Sequence, residues 1–219
     1  MEKVVTWSQF GEDIHLYNKV FGDKKNGVYI ELGALDGNLY SNTKFFEHYL
    51  SWEGILIEPH PVKFRNLLLN RSRKNKFFNC LVSTGDKKLK FRLFDDIHAA
   101  VSGVEDTIPP YHFKKFFNAE ENSHLKQDII EMKPETLTDI VKLSGYEYID
   151  LLSLDVEGHE EQVLQSYDFE VPIRVILIET LPYTPEQNNK CKEILRKRGY
   201  TYHSSVYWNE VWILQENDD

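Results

Sequence analysis

Four short runs of this chain are apolar almost without interruption, and each meets an acid at its end. GVYIEL (27–32) closes around Glu31, GILIEP (54–59) on Glu58, YIDLLSLD (148–155) on Asp155 and RVILIET (174–180) on Glu179. A strand with one wet face alternates polar and apolar residues, whereas a continuously apolar strand must be covered on both faces. The segments between the runs supply the cover. Phe10, Ile14, Tyr17 and Phe21 stand at helical spacing behind Ser8 as N-cap. Phe45, Phe46, Tyr49 and Leu50 mark a helix from about Ser41 to Leu50, and Phe64, Leu67 and Leu68 mark one after Pro59. Val163, Leu164 and Tyr167 follow the third run, and Cys191, Ile194 and Leu195 lie in a helix that Gly199 ends. Strands alternating with amphipathic helices predict an α/β fold with a mostly parallel sheet between two helical layers. KFFNCLVS (76–83) adds a strand. YTYHSSVY and NEVWILQ close the chain as a hairpin, giving seven strands with the last antiparallel. Ligands of such sheets sit at the carboxyl ends of the strands, near the switch point. Those ends are where the four acids lie.

The middle of the chain is less regular. KLKFRLF (88–94) alternates charged and apolar residues and reads as a half-exposed strand. Residues 95–133 are loop-rich, broken by Pro109-Pro110, and read as an insertion or acceptor loop. Regular pattern returns at Thr136, where Thr136 and Asp139 have capping-box spacing. The 219 residues suit a single domain, 1–219, with enough length for a core. The chain begins and ends close to that core, as a domain cut from a longer protein would.

A net charge of −9 argues against a dedicated nucleic-acid binder. Between Lys63 and Arg92 stand ten basic residues against one acid, Asp86. That run reads as solvated surface, with a docking face for an anionic substrate or neighbouring domain as the sharper alternative. Cys80 and Cys191 form neither a disulfide framework nor a zinc site and read as small buried hydrophobes. There is no membrane-length apolar run and no signal peptide, so a reducing, cytoplasmic setting is expected.

The loop after the first apolar run carries chemistry. Gly33-Ala34-Leu35-Asp36-Gly37 lacks the three-glycine pattern that cradles a dinucleotide pyrophosphate, and Asp36 inside it would repel one. A cofactor with a sulfonium and an ammonium group suits Glu31 and Asp36 better, and S-adenosylmethionine is such a cofactor. Its ribose needs a carboxylate at the end of the second strand; Glu58 lies 25 residues after Gly33. Taken alone, Glu31 and Glu58 would be surface acids at strand ends.

SQFGED (8–13), GVYIELGALDGNLYSNT (27–43), WEGILIEPHPVKFRNLLLNR (52–71) and LLSLDVEGHEEQVL (151–164) together resemble the FkbM family of S-adenosylmethionine-dependent methyltransferases. The run from Leu154 to Glu160 is the most specific part, and residues 95–133 match poorly. The resemblance implies a Rossmann-like class I methyltransferase fold and O-methylation of sugars or glycoconjugates. It implies that Glu31, Gly33, Ala34, Asp36, Ser41, Asn42 and Glu58 line the cofactor, with Val82 and Ser83 near its adenine. Glycosyltransferase domains fused to or docked on the chain would be natural partners.

Methyl transfer to an alcohol requires alignment and removal of the alcohol proton, by a general base or a metal. Asp155 would orient the acceptor or a metal. His159, four residues on, would be the base, since imidazole titrates near neutrality. Asp155 and Glu179 facing each other would hold Mg²⁺ or Mn²⁺ through oxygen. The turn from Gln9 to Asp13 would fold over the cofactor or simply begin a helix. Tyr183, Trp208 and Trp212 would stack on a sugar or belong to the core, and His98 beside Asp95 and Asp96 would line the acceptor pocket or a surface loop. Two alternatives stand beside the enzyme reading: a non-catalytic scaffold with the same fold, and a nucleotide-sugar or NAD enzyme, which the loop acid disfavours.

Overall fold

A computed structural model describes residues 5–94, 97–118 and 126–215. Its strands are β1 (Val28–Leu32), β2 (Glu53–Ile57), β3 (Lys76–Phe78), β4 (Leu89–Phe94), β5 (Gly103–Val104), β6 (Gln127–Met132), β7 (Ile149–Leu154), β8 (Ile173–Glu179), β9 (Tyr200–Val206) and β10 (Asn209–Leu214). The main sheet has seven strands in the order β3-β2-β1-β7-β8-β10-β9. β3, β2, β1, β7 and β8 pair in parallel, and β10 runs antiparallel to both β8 and β9. The expected Rossmann-like sheet, mostly parallel with its last strand reversed, is present.

Side-chain alternation splits each strand between two cores. On one face Ile30, Leu32, Ile55, Ile57, Leu152 and Ile176 pack with residues of α5 (Leu137–Ser144), α6 (Glu160–Gln165) and α7 (Pro185–Lys197). On the other, Tyr29, Leu56, Leu151, Val175 and Leu177 pack under α1 (Glu12–Leu16), α2 (Lys44–Leu50) and α3 (Pro61–Asn70). Both faces are dry, which is why the runs show no alternation. No described helix is long and apolar enough to cross a membrane.

Several boundaries differ from the expectation. α1 begins at Glu12 behind Gly11, which has φ +84°, and continues as a π-helical turn from Tyr17 to Phe21. The cap position is Gly11 and not Ser8, although the Ser8 hydroxyl donates to the Asp13 carboxylate at 2.7 Å and accepts from the Asp13 N–H at 3.3 Å; Phe10 is exposed. α2 starts at Lys44, whose N–H donates to Ser41 Oγ at 3.0 Å, while the Ser41 and Thr43 hydroxyls donate to Glu31. The 76–83 strand stops at Phe78, beyond which only Val82 makes a bridge, to Glu135. Thr136 caps α5, its hydroxyl accepting from the Asp139 N–H at 3.0 Å and donating to the Asp139 carboxylate at 2.6 Å, which is one half of a capping box.

Residues 95–133 hold more regular structure than their pattern suggested. β6 pairs antiparallel with β4 over six residues, and β5 pairs on the other side of β4, making a second, three-stranded sheet. A 3₁₀ turn (Ile97–Val101) and α4 (Pro110–His112), continuing as a π-helical turn to Phe117, fill the rest of the described segment. The strand QDIIEM is mostly solvent-facing, so its apolar content is too low to announce it. β4 is half-exposed, as read.

Candidate functional site

The chain leaves β1 in one direction to form β2 and returns by way of β7 on its other side, so a crevice opens at the carboxyl ends of β1 and β7. Gly33 makes that turn with φ +83°, and a Cβ there would sit 2.0 Å from the Asp155 carbonyl oxygen, so only glycine fits. A cavity of about 280 Å³ lies over these ends. Gly33, Glu58, Val82, Asp155, His159 and Glu179 all line it. Its roof comes from residues 98–102, with Phe91 and Phe116. His98 is part of that roof; Asp95 and Asp96 lie outside the described residues. Cys80 also faces the cavity and is half-buried, not the core residue expected, whereas Cys191 is in the core.

Glu58 fits a carboxylate at the second strand end. Its Oε2 accepts from the Leu35 N–H and its Oε1 from the His60 N–H, both at 2.7 Å, leaving each oxygen a further lone pair. Burial raises its pKa to about 7, against the pull of those two N–H donors.

Glu31 is otherwise engaged. Its carboxylate accepts from the Asn42 N–H at 2.7 Å, from the hydroxyls of Ser41 (3.0 Å) and Thr43 (2.7 Å), and from Arg71 Nη1 at 2.9 Å. Those donors fill its lone pairs, so Glu31 and Ser41 form a structural network and not a cavity wall. Arg71, read as part of a solvated basic run, is fully buried. Its guanidinium also bonds Glu47 Oε2 at 2.9 Å, the Tyr29 hydroxyl at 2.7 Å and Thr43 Oγ1 at 2.8 Å. A buried cation stabilises an acid on a buried strand and arginine suits that role, but nothing local to Arg71 marks it as the partner of Glu31. Asp36 turns inward on its own loop, accepting from the N–H groups of Asn38 and Leu39. Ala34 packs into the core under α2 and is absent from the cavity wall. Asn42 donates to Ser153 Oγ at 3.0 Å and lines a smaller, adjoining cavity.

At the far end of the main cavity the acids gather. Burial raises the Asp155 pKa to about 7, with Glu160, Glu12 and Glu31 adding repulsion. Burial also raises Glu157 and Glu179 well above the usual range, and Asp155 contributes to both shifts. No hydrogen bond from a described residue reaches the Asp155 carboxylate, so it is free to meet a ligand. Glu160 caps the preceding loop, its Oε1 accepting from Val156 N–H and Gly158 N–H.

His159 does not have the setting of a base. Its Nε2 lies 3.0 Å from Ser83 Oγ and its Nδ1 lies 3.0 Å from Thr107 Oγ1, so both nitrogens are occupied. Burial lowers its pKa to about 4, which makes the ring a poor proton acceptor at neutral pH. Ser83 stands behind His159 and not on the cavity wall. Among the described residues no three carboxylate, imidazole or thiolate groups converge to hold a metal ion. Asp155 and Glu179 do share a wall of the cavity.

The segment from Gln9 to Asp13 closes one side. Gln9 lines the cavity, Asp13 holds the N-terminal loop through Thr6, Trp7 and Ser8, and Glu12 accepts from Asn209 Nδ2 at 3.1 Å. Trp212 is core, Tyr183 packs at a tilt against Tyr111, and Trp208 is partly exposed and lines the smaller cavity.

Two solved structures resemble this arrangement. A methyltransferase FkbM from Methylobacillus flagellatus KT aligns at TM-score 0.50 and 11% identity, covering 87% of this chain and 44% of that longer one. The METTL16 MTase domain aligns at TM-score 0.50 and 12% identity, covering 93% of this chain and 66% of that one. At such identities they show the fold alone. No curated protein sequence matches significantly. The sequence profile of the methyltransferase FkbM domain, however, matches residues 31–202, from the buried acid of β1 to β9. The chain therefore belongs to the FkbM methyltransferase family, whose members take S-adenosylmethionine as methyl donor.

Proposed function

We propose that this chain methylates a hydroxyl of a sugar or glycoconjugate, with Asp155 as the general base. The observation that carries the reading is the position of Asp155: a carboxyl with a pKa of about 7, unbonded by any described residue, in the same cavity as Glu58. The residues present suit the cofactor that the family implies. Glu58 has lone pairs for two ribose hydroxyls, and Gly33 lets the turn after β1 run close against the end of β7 beside the cavity. Uncompensated acids beside the cavity favour a cationic ligand. When bound, S-adenosylmethionine supplies an electrophilic methyl group on a sulfonium.

What remains for the chain is to align the acceptor and take its proton. A base works best when its pKa lies near the working pH. Asp155 meets that condition and His159 does not. The imidazole of His159 instead bridges Ser83 and Thr107, tying α6 to the loop behind it.

The test is methyl transfer to a panel of deoxysugar glycans, read by mass spectrometry, followed by a pH profile on the best acceptor. Asp155 must be ionised to accept a proton, so kcat/KM is expected to rise about tenfold per pH unit below about 7 and level off above it. A profile flat between mildly acidic and mildly alkaline pH would reject Asp155 as base. Absence of transfer to every hydroxyl acceptor, with cofactor bound, would favour the scaffold reading.

Glu58→Ala is expected to weaken cofactor binding about tenfold or more, since charged hydrogen bonds contribute roughly 1.5–3 kcal/mol each. Isothermal titration with S-adenosylhomocysteine measures it. Unchanged affinity in a folded variant would move the ribose elsewhere.

A further inference from the structure

A second, smaller cavity adjoins the first, and of the residues expected to line the cofactor only Asn42 reaches it. Its volume is about 20 Å³, room for roughly one water or one hydroxyl group. Asp155, Glu179 and Gln9 line both cavities, so they form the partition between the two. The small cavity is further walled by Asn42 and Asn209, which are only 6% and 7% exposed.

Three of its buried acceptor atoms are unpaired. Asn42 Oδ1, Asn209 Oδ1 and Glu179 Oε2 are buried and have no hydrogen-bond partner among the described residues. The amide orientation of Asn209 is set by its environment: Nδ2 donates to Glu12 Oε1, so Oδ1 is the free end. Leaving a buried acceptor unpaired is costly, and three around one hole call for a ligand rich in O–H donors.

The mouth of the same cavity is aromatic. Phe10 and Tyr207 stack with ring centroids 3.6 Å apart, and Tyr207 lies 4.6 Å from Trp208. These rings stay 42%, 55% and 37% exposed, and Tyr40, which lines both cavities, is 44% exposed. The group is held in place. Tyr207 adopts φ +52° in the β9–β10 turn, an unusual conformation for a bulky residue, and the Trp208 carbonyl accepts from both the N–H and the hydroxyl of Thr180. Exposed apolar surface fixed beside a polar hole marks a binding site for something with both characters.

We propose that this cavity and its aromatic mouth are the acceptor subsite, and that they take a pyranose-type polyol. The ring's C–H face lies on the exposed indole of Trp208, which the stacked pair of Tyr207 and Phe10 backs. One ring hydroxyl enters the small cavity among Asn42, Asn209 and Glu179. That hydroxyl is the anchor; a neighbouring ring hydroxyl then meets Asp155 where the two cavities join, on the side of the cofactor cavity. The inference rests on the sugar O-methyltransferase reading above and adds the residues that hold the acceptor ring.

The experiment uses this chain saturated with S-adenosylhomocysteine and a probe set of methyl pyranosides, with cyclohexanol as a ring lacking vicinal hydroxyls. Saturation-transfer difference NMR reads binding. At least one pyranoside is expected to show transfer concentrated on one ring face, and cyclohexanol little. Trp208→Ala and Asn209→Ser should each weaken that pyranoside about fivefold or more while S-adenosylhomocysteine affinity stays within about twofold, which also reports folding. Trp208→Leu should be intermediate. Pyranosides that bind equally well to these variants would overturn the subsite but leave the sugar reading standing. Variants that lose S-adenosylhomocysteine instead would assign the cavity to the cofactor's ammonium group. Failure of every pyranoside to bind the wild-type complex would overturn the sugar reading and the subsite with it.

Discussion

Replacing Asp155 with asparagine is expected to lower kcat by roughly 10²–10⁴, the usual contribution of a general base, with little change in affinity for S-adenosylhomocysteine. The two effects separate because the carboxylate accepts no hydrogen bond from a described residue and Glu58 stands apart from it at the end of β2. A group needed mainly as the acceptor loses its proton shows itself in kcat more than in cofactor affinity. Stability should not fall. The substitution removes one charge from a cluster in which Glu160, Glu12 and Glu31 already oppose ionisation of Asp155. His159→Gln is the companion measurement. Glutamine can still bridge Ser83 and Thr107, so activity should stay within a few-fold of wild type. A loss of about 10² or more in His159→Gln, with Asp155→Asn mild, would restore the histidine as base.

Arg71→Met is expected to cost about 3–5 kcal/mol of stability, the scale measured when one partner of a buried ion pair is removed. The arginine side chain is fully buried and bridges Glu31 and Glu47 at 2.9 Å each. Without it Glu31 keeps its hydroxyl and N–H donors but loses its cation in a dry setting. Denaturant unfolding measures the change, and adding Glu31→Gln should recover part of it by removing the stranded charge. A cost below about 1 kcal/mol would mean that water reaches the site and the network matters little. The same network shapes acid stability. Burial alone would raise the Glu47 carboxyl, but Arg71, Asn75 and Tyr29 outweigh it and hold the pKa at about 2. A carboxylate with a depressed folded pKa stabilises the fold above its unfolded value, and that contribution is lost as pH falls from about 4.5 toward about 2. Arg71→Met should flatten this part of the stability profile.

The sheet and its acidic strand ends were legible in the residue order, because burial on both faces leaves a local mark: apolar residues in succession, then one acid where the strand leaves the core. Glu58, Asp155 and Glu179 could be placed at the cavity from that mark alone. So could the glycine turn, since a loop so close to a strand end needs the freedom of Gly33. The identity of each acid's partner could not be read, because it depends on residues far away in the chain. Glu31 and Glu58 look alike in sequence, yet Arg71, 40 residues on, completes the donor set of Glu31, while Glu58 meets only two backbone N–H groups and keeps lone pairs for a ligand. His159 looked like a base until Thr107, from a segment read as loop, took one nitrogen and Ser83 the other. β6 stayed hidden because a mostly exposed strand is stabilised by its pairing with β4 rather than by its own apolar content. The proposed acceptor subsite was the least visible of all. Glu12 and Asn209 lie 197 residues apart, and only the reversal of β10 against β8 sets Asn209 beside Glu179. Local pattern records how much of a residue is buried; what a buried polar atom does is decided by which donors and acceptors the fold brings to it.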